Sequence, residues 1–521
     1  MSLPDAAQRR TVGAMLRHNA EVFGNRSFLL DESGTLTWAD AWRRAQEVAG
    51  GLAALGIRDG DRVILALGNR REFIEAWFGL ALLGGVQVPF DPRAGHRRLH
   101  QVVAMSGASV AITDERLLPA LVSEAQLSTI VTVDARTTVG NTTLAGFDSL
   151  KGEWGGTGEV AAEQPVAIMF TSGTTGRPKG VVLPHGQHWT NGQQAVVAAG
   201  ITCNDVIFLC LPLHHNMAQG YGIWPALHSG ASVRLVDRFD REAFWAQVRA
   251  SQATVLPFVG DLIAILALAP PAADDADNPL RVGYGVPIPA PLHEDFERRY
   301  AIELIHAYGS TEATIPVWAA GADRLIGSVG RAVDGFDVEI RDDNGRRQPP
   351  GVRGEITIRA HAPNMIFSEY FNDPERTAVA MADGWFRTSD EGSFDDDGHL
   401  FFHGRRGDLI RHHGEFVSPV ELESAALAHP DIAAAAAFGV PSELADDDIM
   451  LTVELREGAT VDAEEMRTWL TQRVAPYAVP RYVDLAGALP VTDTGKIEKY
   501  KLKARGVTAT TDDRRRPTGA Q

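Results

Sequence analysis

Apolar residues recur at helical spacing from Trp38 to Leu55, in WADAWRRAQEVAGGLAAL, and predict an amphipathic helix. A short apolar run, RVILAL at 62–67, predicts a strand. REFIEAWFGLALLGG then reads as a helix closed by a glycine pair, followed by the strands VQVPF and SVAIT. Helices and strands alternating in this way predict α/β layers around a largely parallel sheet. The texture continues through VAIMF (166–170), VIFLCLP (206–212), SVRLVD (232–237), ATVLPF (253–258) and IELIHAYG (302–309).

Beyond about residue 325 the pattern shortens. DVEIRD, GEITIR and HLFFHG alternate with Gly/Pro/Asp turns, as in a small antiparallel β unit. It changes again around GRRGDLI at 404–410. SPVELESAALAH reads as a helix with a Ser cap, Pro in its first turn and Glu421 and Glu423 near its N-terminus. Strand AAAAAFGV, strand IMLTVEL, helix DAEEMRTWLTQRV and strand YVDL complete a unit of roughly 100 residues. The fold class expected is α/β: a large multilayer N-terminal domain with a small β unit over 1–404, a hinge at 405–408 and a small mobile α+β domain at 409–505. The polar tail 506–521 is expected to be disordered.

Composition narrows the function. At about 150 residues per domain, 521 residues suit three or four packing units or one large domain with a small one. Hydrophobic residues at 45% and charged residues at 22% are globular values. No apolar run reaches the roughly 18 residues of a membrane span; the nearest, Ala76 to Phe90, is broken by Gly79, Gly84 and Gly85. The N-terminus MSLPDAAQRR has no basic segment leading into an apolar stretch, and Cys203 and Cys210 are too few for a disulfide framework, so a cytoplasmic location is expected. The net charge of −18 repels phosphate backbones and argues against nucleic acid as a partner. It does not forbid a small anionic ligand held by local amides and a lysine.

The strongest chemical signal is Thr171-Ser172-Gly173-Thr174-Thr175-Gly176-Arg177-Pro178-Lys179-Gly180, set between two apolar strands. Four hydroxyls, three glycines and a lysine in ten residues suit a loop that wraps a triphosphate. It is not a Walker A loop, because the glycine-to-lysine spacing differs and no helix follows directly. A flexible hairpin turn is the plain alternative.

This loop resembles the phosphate loop of the adenylate-forming superfamily, which includes acyl-CoA synthetases, luciferases and peptide-synthetase adenylation domains. Five further segments resemble that family's pattern in order: LPLHHN (211–216), Tyr308-Gly309-Ser310-Thr311-Glu312, GWFRTSDEG (384–392) with Ser389 in place of a glycine, GRRGDLIRHHGEFVSPVELE (404–423) and LPVTDTGKIEKYKL (489–502). The Gly-Glu-Phe at 414–416 resembles carnitine/crotonobetaine-CoA ligase relatives most. The resemblance implies ATP-dependent activation of a small-molecule carboxylate as an acyl-adenylate, then transfer to coenzyme A, with Mg²⁺. The alternative acceptors are an amine or a carrier protein, and nitrite activation for diazotisation of an aryl amine belongs with them.

The resemblance also implies roles. Thr174 and Glu312 would bind Mg²⁺ and phosphate oxygens, and the loop with Thr171, Ser172, Gly173, Thr175, Gly176 and Lys179 would hold the β/γ-phosphates. Asp390, assisted by Arg405, would accept from the ribose hydroxyls. Gly285-Val286-Pro287 and Tyr308, with Gly309, Ser310 and Thr311, would flank the nucleotide. Lys496 would contact the α-phosphate and the carboxylate. His214, His215, Asp261 and Gly283 would line the acyl pocket, and Gly414 would lie on the coenzyme A side.

Three features bear on these roles. Adjacent histidines on an extended segment point opposite ways, so His214-His215 is expected to line a pocket rather than bind metal, and His412-His413 is expected in an exposed loop. Gly407 stands where the family's hinge usually carries Asp or Lys, leaving backbone freedom without the charge. Asp261, in VLPFVGDLIAIL, stands where relatives are commonly apolar. It either faces solvent near a helix start or meets an amine or hydroxyl of the substrate.

Overall fold

Helix Trp38–Ala54 begins at Thr37, whose hydroxyl accepts the Asp40 N–H at 3.1 Å, and it turns Trp38, Ala45, Val48 and Leu52 inward. Helix Arg71–Leu83 packs against it so closely that a β-carbon on Gly79 would sit 2.6 Å from a Val48 methyl. The computed structural model describes residues 10–94, 96–133, 143–156, 160–171, 178–259, 262–267, 269–321, 324–412, 415–442, 447–491 and 497–515.

Two large sheets carry the N-terminal part. The eight-stranded sheet runs Glu369–Tyr370, Lys179–Pro184, Pro165–Thr171, Val86–Pro89, Arg62–Ala66, Val110–Thr113, Thr129–Thr132 and Thr143–Gly146. It is parallel from Pro165–Thr171 outward, and Lys179–Pro184 returns antiparallel. The nine-stranded sheet runs Arg331–Ala332, Thr314–Ala319, Glu303–Ser310, Val282–Val286, Val255–Val259, Val206–Leu209, Ser232–Leu235, Ser27–Asp31 and Gly34–Thr37. Its middle is parallel and both edges are antiparallel. One apolar cluster joins the two, with Trp38, Trp77 and Trp224 fully buried in it. Burying such rings removes 150–250 Å² each from water, at about 25 cal/mol per Å².

The small β unit is antiparallel. Phe336–Arg341 pairs Gly354–Ala360, which pairs Trp385–Phe394, and Leu400–Arg405 returns along the last. The C-terminal part has a four-stranded sheet of Ile432–Pro441, Asp447–Leu455, Tyr482–Ala486 and Asp512–Asp513, with helices Pro419–Leu427 and Ala463–Thr471 and its own apolar cluster around Leu422, Leu451 and Met466. Ser418 caps the first of these helices, accepting the Glu421 N–H. The fold is therefore mixed α/β, with a large N-terminal and a smaller C-terminal part. Among the described residues no helix is long and apolar enough to cross a membrane.

Two expectations are corrected. The tail is ordered through residue 515: Asp512–Asp513 pairs with Tyr482–Ala486, Asp512 meets the buried Arg467, and Asp513 meets Arg481 at 3.0 Å. A polar composition signals disorder only when no buried cation awaits its carboxylates. Residues 516–521 lie outside the described residues. His412, expected in an exposed loop, is buried on the strand Ile410–His412, its Nδ1 at 2.7 Å from the Asp447 carbonyl.

Candidate active site

The strands Pro165–Thr171 and Lys179–Pro184 pair antiparallel with Thr171 opposite Lys179, so the hydroxyl- and glycine-rich loop springs from the end of a two-strand ribbon. Lys179 Nζ donates to Glu312 Oε1 at 2.7 Å and to the Tyr370 hydroxyl at 3.2 Å; that hydroxyl donates to the same Oε1 at 3.0 Å. Burial alone would raise the Glu312 carboxyl, but the Lys179 charge and these bonds hold it below its ordinary value. Gln187, on helix His185–Ala199, fixes the backbone beneath by donating to the Thr311 carbonyl at 2.8 Å. The Thr171 hydroxyl is buried with no partner.

Tyr308 lies on Glu303–Ser310, and its hydroxyl donates to Asp390 Oδ2 at 2.8 Å. Asp390 and Arg405 are opposite each other on the paired strands of the small β unit, and Arg405 Nε stays 3.5 Å from Oδ1. Oδ1 is buried and accepts no hydrogen bond. Burial raises the Asp390 carboxyl from its ordinary value, and Arg405 and Tyr308 offset only part of this. Ser389, just before it, has φ +61, the left-handed region that glycine favours.

Gly285 and Gly309 admit no side chain. A β-carbon on either would lie 1.9 Å from a carbonyl oxygen, that of Phe258 or of Thr314. Gly309, Ser310, Thr311 and Val286 form one wall of a cavity of about 270 Å³ completed by Leu211, Pro212, His215, Asn216, Met217, Tyr221, Val259 and Ile315. None of these is an acid or a permanent cation. A second cavity, about 450 Å³, lies across Leu211, Pro212 and Val259 and is lined also by Arg93, Arg116, His214, Asp237 and Arg238.

The histidine pair therefore divides between the cavities, but not as an extended segment would place it. Residues 213–215 form a turn and the two rings stand 4.3 Å apart. His214 is buried, 3.7 Å from Asp91 and beyond hydrogen-bond reach; burial drives it down to about 3, so it is neutral. His215 is exposed. Neither joins a metal-binding group among the described residues. Gly283 lines neither cavity: a β-carbon there would meet Leu304 at 3.1 Å within the core. Ser172, Gly173, Thr174, Thr175, Gly176, Asp261, Gly414 and Lys496 lie outside the described residues. Sequence reasoning missed Tyr370 and Gln187, since a lone Tyr or Gln carries no motif that separates it from any other, and it assigned no role to Asn216 at the end of LPLHHN.

The family model of the AMP-binding enzymes matches residues 16–371, and that of the AMP-binding enzyme C-terminal domain matches 421–496. A crotonobetaine/carnitine–CoA ligase of Escherichia coli O17:K52:H18 is 32% identical over 502 residues, 93% of this chain and 97% of that protein. A benzoate CoA ligase of Burkholderia xenovorans LB400 superposes with a TM-score of 0.85 at 25% identity, covering 95% of this chain and 99% of that one. An anthranilate CoA ligase in complex with anthranoyl-AMP, 24% identical, shares the fold with a TM-score of 0.89 over 97% and 99% of the two chains. The chain belongs to the AMP-binding enzyme family and is an adenylate-forming ligase.

Proposed function

We propose that this enzyme activates a compact, mainly apolar carboxylate with ATP and passes the acyl group to coenzyme A. The observation that carries the reading is the arrangement around the smaller cavity. Its Gly309–Thr311 wall is continuous in sequence with Tyr308 and Glu312, which reach Asp390 on one side and Lys179 on the other. A substrate carboxylate in this cavity faces the segment that joins a nucleotide's ribose partner to its phosphate partner. The related CoA ligases support the same activity, and lend none to an amine, carrier-protein or nitrite acceptor.

In the first step a carboxylate oxygen attacks the α-phosphorus of ATP and pyrophosphate leaves. In the second the coenzyme A sulfur attacks the acyl carbon, its proton is lost to solvent or base, and AMP leaves. Glu312 suits Mg²⁺: it is a buried, ionised oxygen donor already matched to one cation, and with Thr174 it would hold the ion, which supplies charge neutralisation at the phosphates. Lys179 and the residues 171–176 meet the β/γ-phosphates. Asp390 Oδ1, buried and accepting no hydrogen bond, is an acceptor for a ribose hydroxyl, and Arg405 sits beside it. Gly285–Pro287 and Tyr308 flank the adenine, and Lys496 answers charge at the α-phosphate. The larger cavity offers Arg93, Arg116 and Arg238 to the phosphates of coenzyme A. The turn at 405–408, where a β-carbon on Gly407 would meet nothing within 4 Å, is the pivot between residues 1–404 and 409–505. With both cysteines free, we place the enzyme in the cytoplasm.

The acid is not inherited from the carnitine-linked relatives. A quaternary ammonium calls for a carboxylate or an aromatic cage, whereas the described lining has six aliphatic or thioether side chains, no acid, and two aromatic rings, His215 and Tyr221, the latter with its hydroxyl committed to Asn191 at 2.9 Å. The test is AMP release from benzoates, short branched acids and carnitine, with and without coenzyme A. Apolar acids should exceed carnitine at least about tenfold in kcat/KM, the scale of a mismatched buried group. Preference for carnitine would overturn the acid assignment; AMP release indifferent to coenzyme A would overturn the acceptor.

A further inference from the structure

Lys496 lies outside the described residues, but the residues on either side of 492–496 are described. Val491 and Ile497 bridge antiparallel, and the Glu498 N–H donates to the Pro490 carbonyl at 2.8 Å, so the chain leaves and re-enters at one place. Helix Lys499–Arg505 begins two residues after the bridge. Its Leu502 is buried with Phe438 and Leu489, and its first residue, Lys499, places Nζ 2.5 Å from Glu423 Oε1. Glu423 belongs to the other end of the unit, helix Pro419–Leu427. The same Oε1 accepts the Ala437 N–H at 2.6 Å, from Ile432–Pro441, the edge strand of the C-terminal sheet. One largely buried carboxylate thus clamps a helix, a sheet edge and the chain three residues beyond Lys496.

We propose that Glu423 is a positioning residue for adenylate formation: through Lys499 it fixes Ile497 and Glu498, which directly follow Lys496 in sequence, against the sheet edge. The inference rests on the assignment of Lys496 to the α-phosphate.

Several observations favour this over a generic surface pair. The pair is among the less exposed ion pairs of the C-terminal unit, with side-chain exposures of 29% and 16%, so it is less screened than a surface contact. Burial raises the Glu423 carboxyl, an effect that Lys499 only partly offsets. One turn further along the same helix, Lys503 Nζ lies 3.9 Å from Asp408 in the turn that follows Arg405. Lys499 and Lys503 share a helix face, so one short helix carries both contacts.

The test compares Glu423→Gln, Lys499→Met, the double variant and Lys496→Ala in two half-reactions. These are carboxylate-dependent ATP–pyrophosphate exchange, and coenzyme A-dependent AMP release from preformed acyl-adenylate. Glu423→Gln and Lys499→Met should each slow exchange by about ten- to a hundredfold, the scale of displacing a catalytic group by an ångström, with KM for ATP held within about twofold. The step from preformed adenylate should keep its rate, and the double variant should be no worse than either single one. Equal loss in both half-reactions with a lowered Tm would make the pair merely structural and overturn the proposal, as would full exchange activity in Glu423→Gln. The charge-reversed pair, Glu423→Lys with Lys499→Glu, should recover exchange relative to Glu423→Lys alone, and failure to recover would count against the pair. Lys496→Ala separates the two levels: undiminished exchange there removes the α-phosphate assignment itself, whereas its loss beside an unaffected Glu423→Gln removes only the positioning role.

Discussion

The two ends of the nucleotide site solve one problem, a buried carboxylate, in opposite ways. At the end we assign to the phosphates, Glu312 is matched by a full ion pair with Lys179 at 2.7 Å and a phenol bond from Tyr370, and its carboxyl lies below the ordinary value. At the end we assign to the ribose, Asp390 has one phenol bond and a guanidinium no nearer than 3.5 Å, one oxygen accepts no hydrogen bond, and its carboxyl is raised. Both are about equally buried, 6% and 5% exposed, so the partners and not the burial decide the sign. A carboxylate meant for a metal ion must be ionised before the ion arrives, and a borrowed lysine keeps it so. A carboxylate meant for two neutral hydroxyls is better left short of partners, because an already satisfied acceptor has little to gain from them.

The largest effect should come from breaking the matched end. Glu312→Gln leaves Lys179 without its counter-charge and the phosphates without an anionic metal ligand. Pyrophosphate exchange at saturating ATP should fall by about 10² to 10³, and a loss under tenfold would end the assignment. At the unmatched end the loss should be smaller and lie in KM. Asp390→Asn should lower kcat/KM for ATP by about ten- to a hundredfold, and 2′-deoxy-ATP should penalise the wild type more than the variant. Equal penalties would show that Asp390 does not meet the ribose, and the contrast between the ends would lose its basis.

Acid sharpens the comparison further. As pH falls through the raised Asp390 value its carboxyl gains a proton and ceases to accept from both hydroxyls, so kcat/KM for ATP should fall about tenfold per pH unit below it. Glu312, being lowered, stays ionised through that window, so kcat at saturating ATP should hold; Asp390→Asn should flatten the acid limb. The stability linkage has the same two signs. Glu312, depressed on folding, contributes stability present above its unfolded value and lost as pH falls through its folded one. Asp390, raised, favours the folded state below its unfolded value, and that contribution is lost as pH rises through its folded one. Hence Asp390→Asn should raise Tm at neutral pH in the absence of nucleotide, and a lowered Tm would contradict the account.

The smallest effect should be at Ser389. With φ +61, Ser389→Gly should stabilise by about 1 kcal/mol or less through relieved strain, offset by the freedom glycine adds to the unfolded chain. Denaturant unfolding at constant m-value is the measurement, and destabilisation would mean that the serine hydroxyl contributes more than the backbone costs.

Sequence alone determined the order of elements and the chemistry of the loop, because both are local. Strand and helix follow from the period of apolar positions, Ser418 from cap chemistry, and the triphosphate loop from hydroxyls, glycines and a lysine within ten residues. It also located Glu312, Tyr308 and Asp390 by resemblance to a family. It did not join them. Lys179 and Glu312 are 133 positions apart, Tyr308 and Asp390 82, and Lys179 and Tyr370 191. No periodicity spans such distances. Only the tertiary structure decided that the histidine pair turns and divides between two cavities, that Gly283 backs onto the core, and that two aspartates of a polar tail return to Arg467 on a helix and Arg481 beside a strand of the C-terminal part. Those outcomes depend on which surfaces meet once the layers pack, and burial and charge pairing, unlike helix and strand, are properties of neighbours in space.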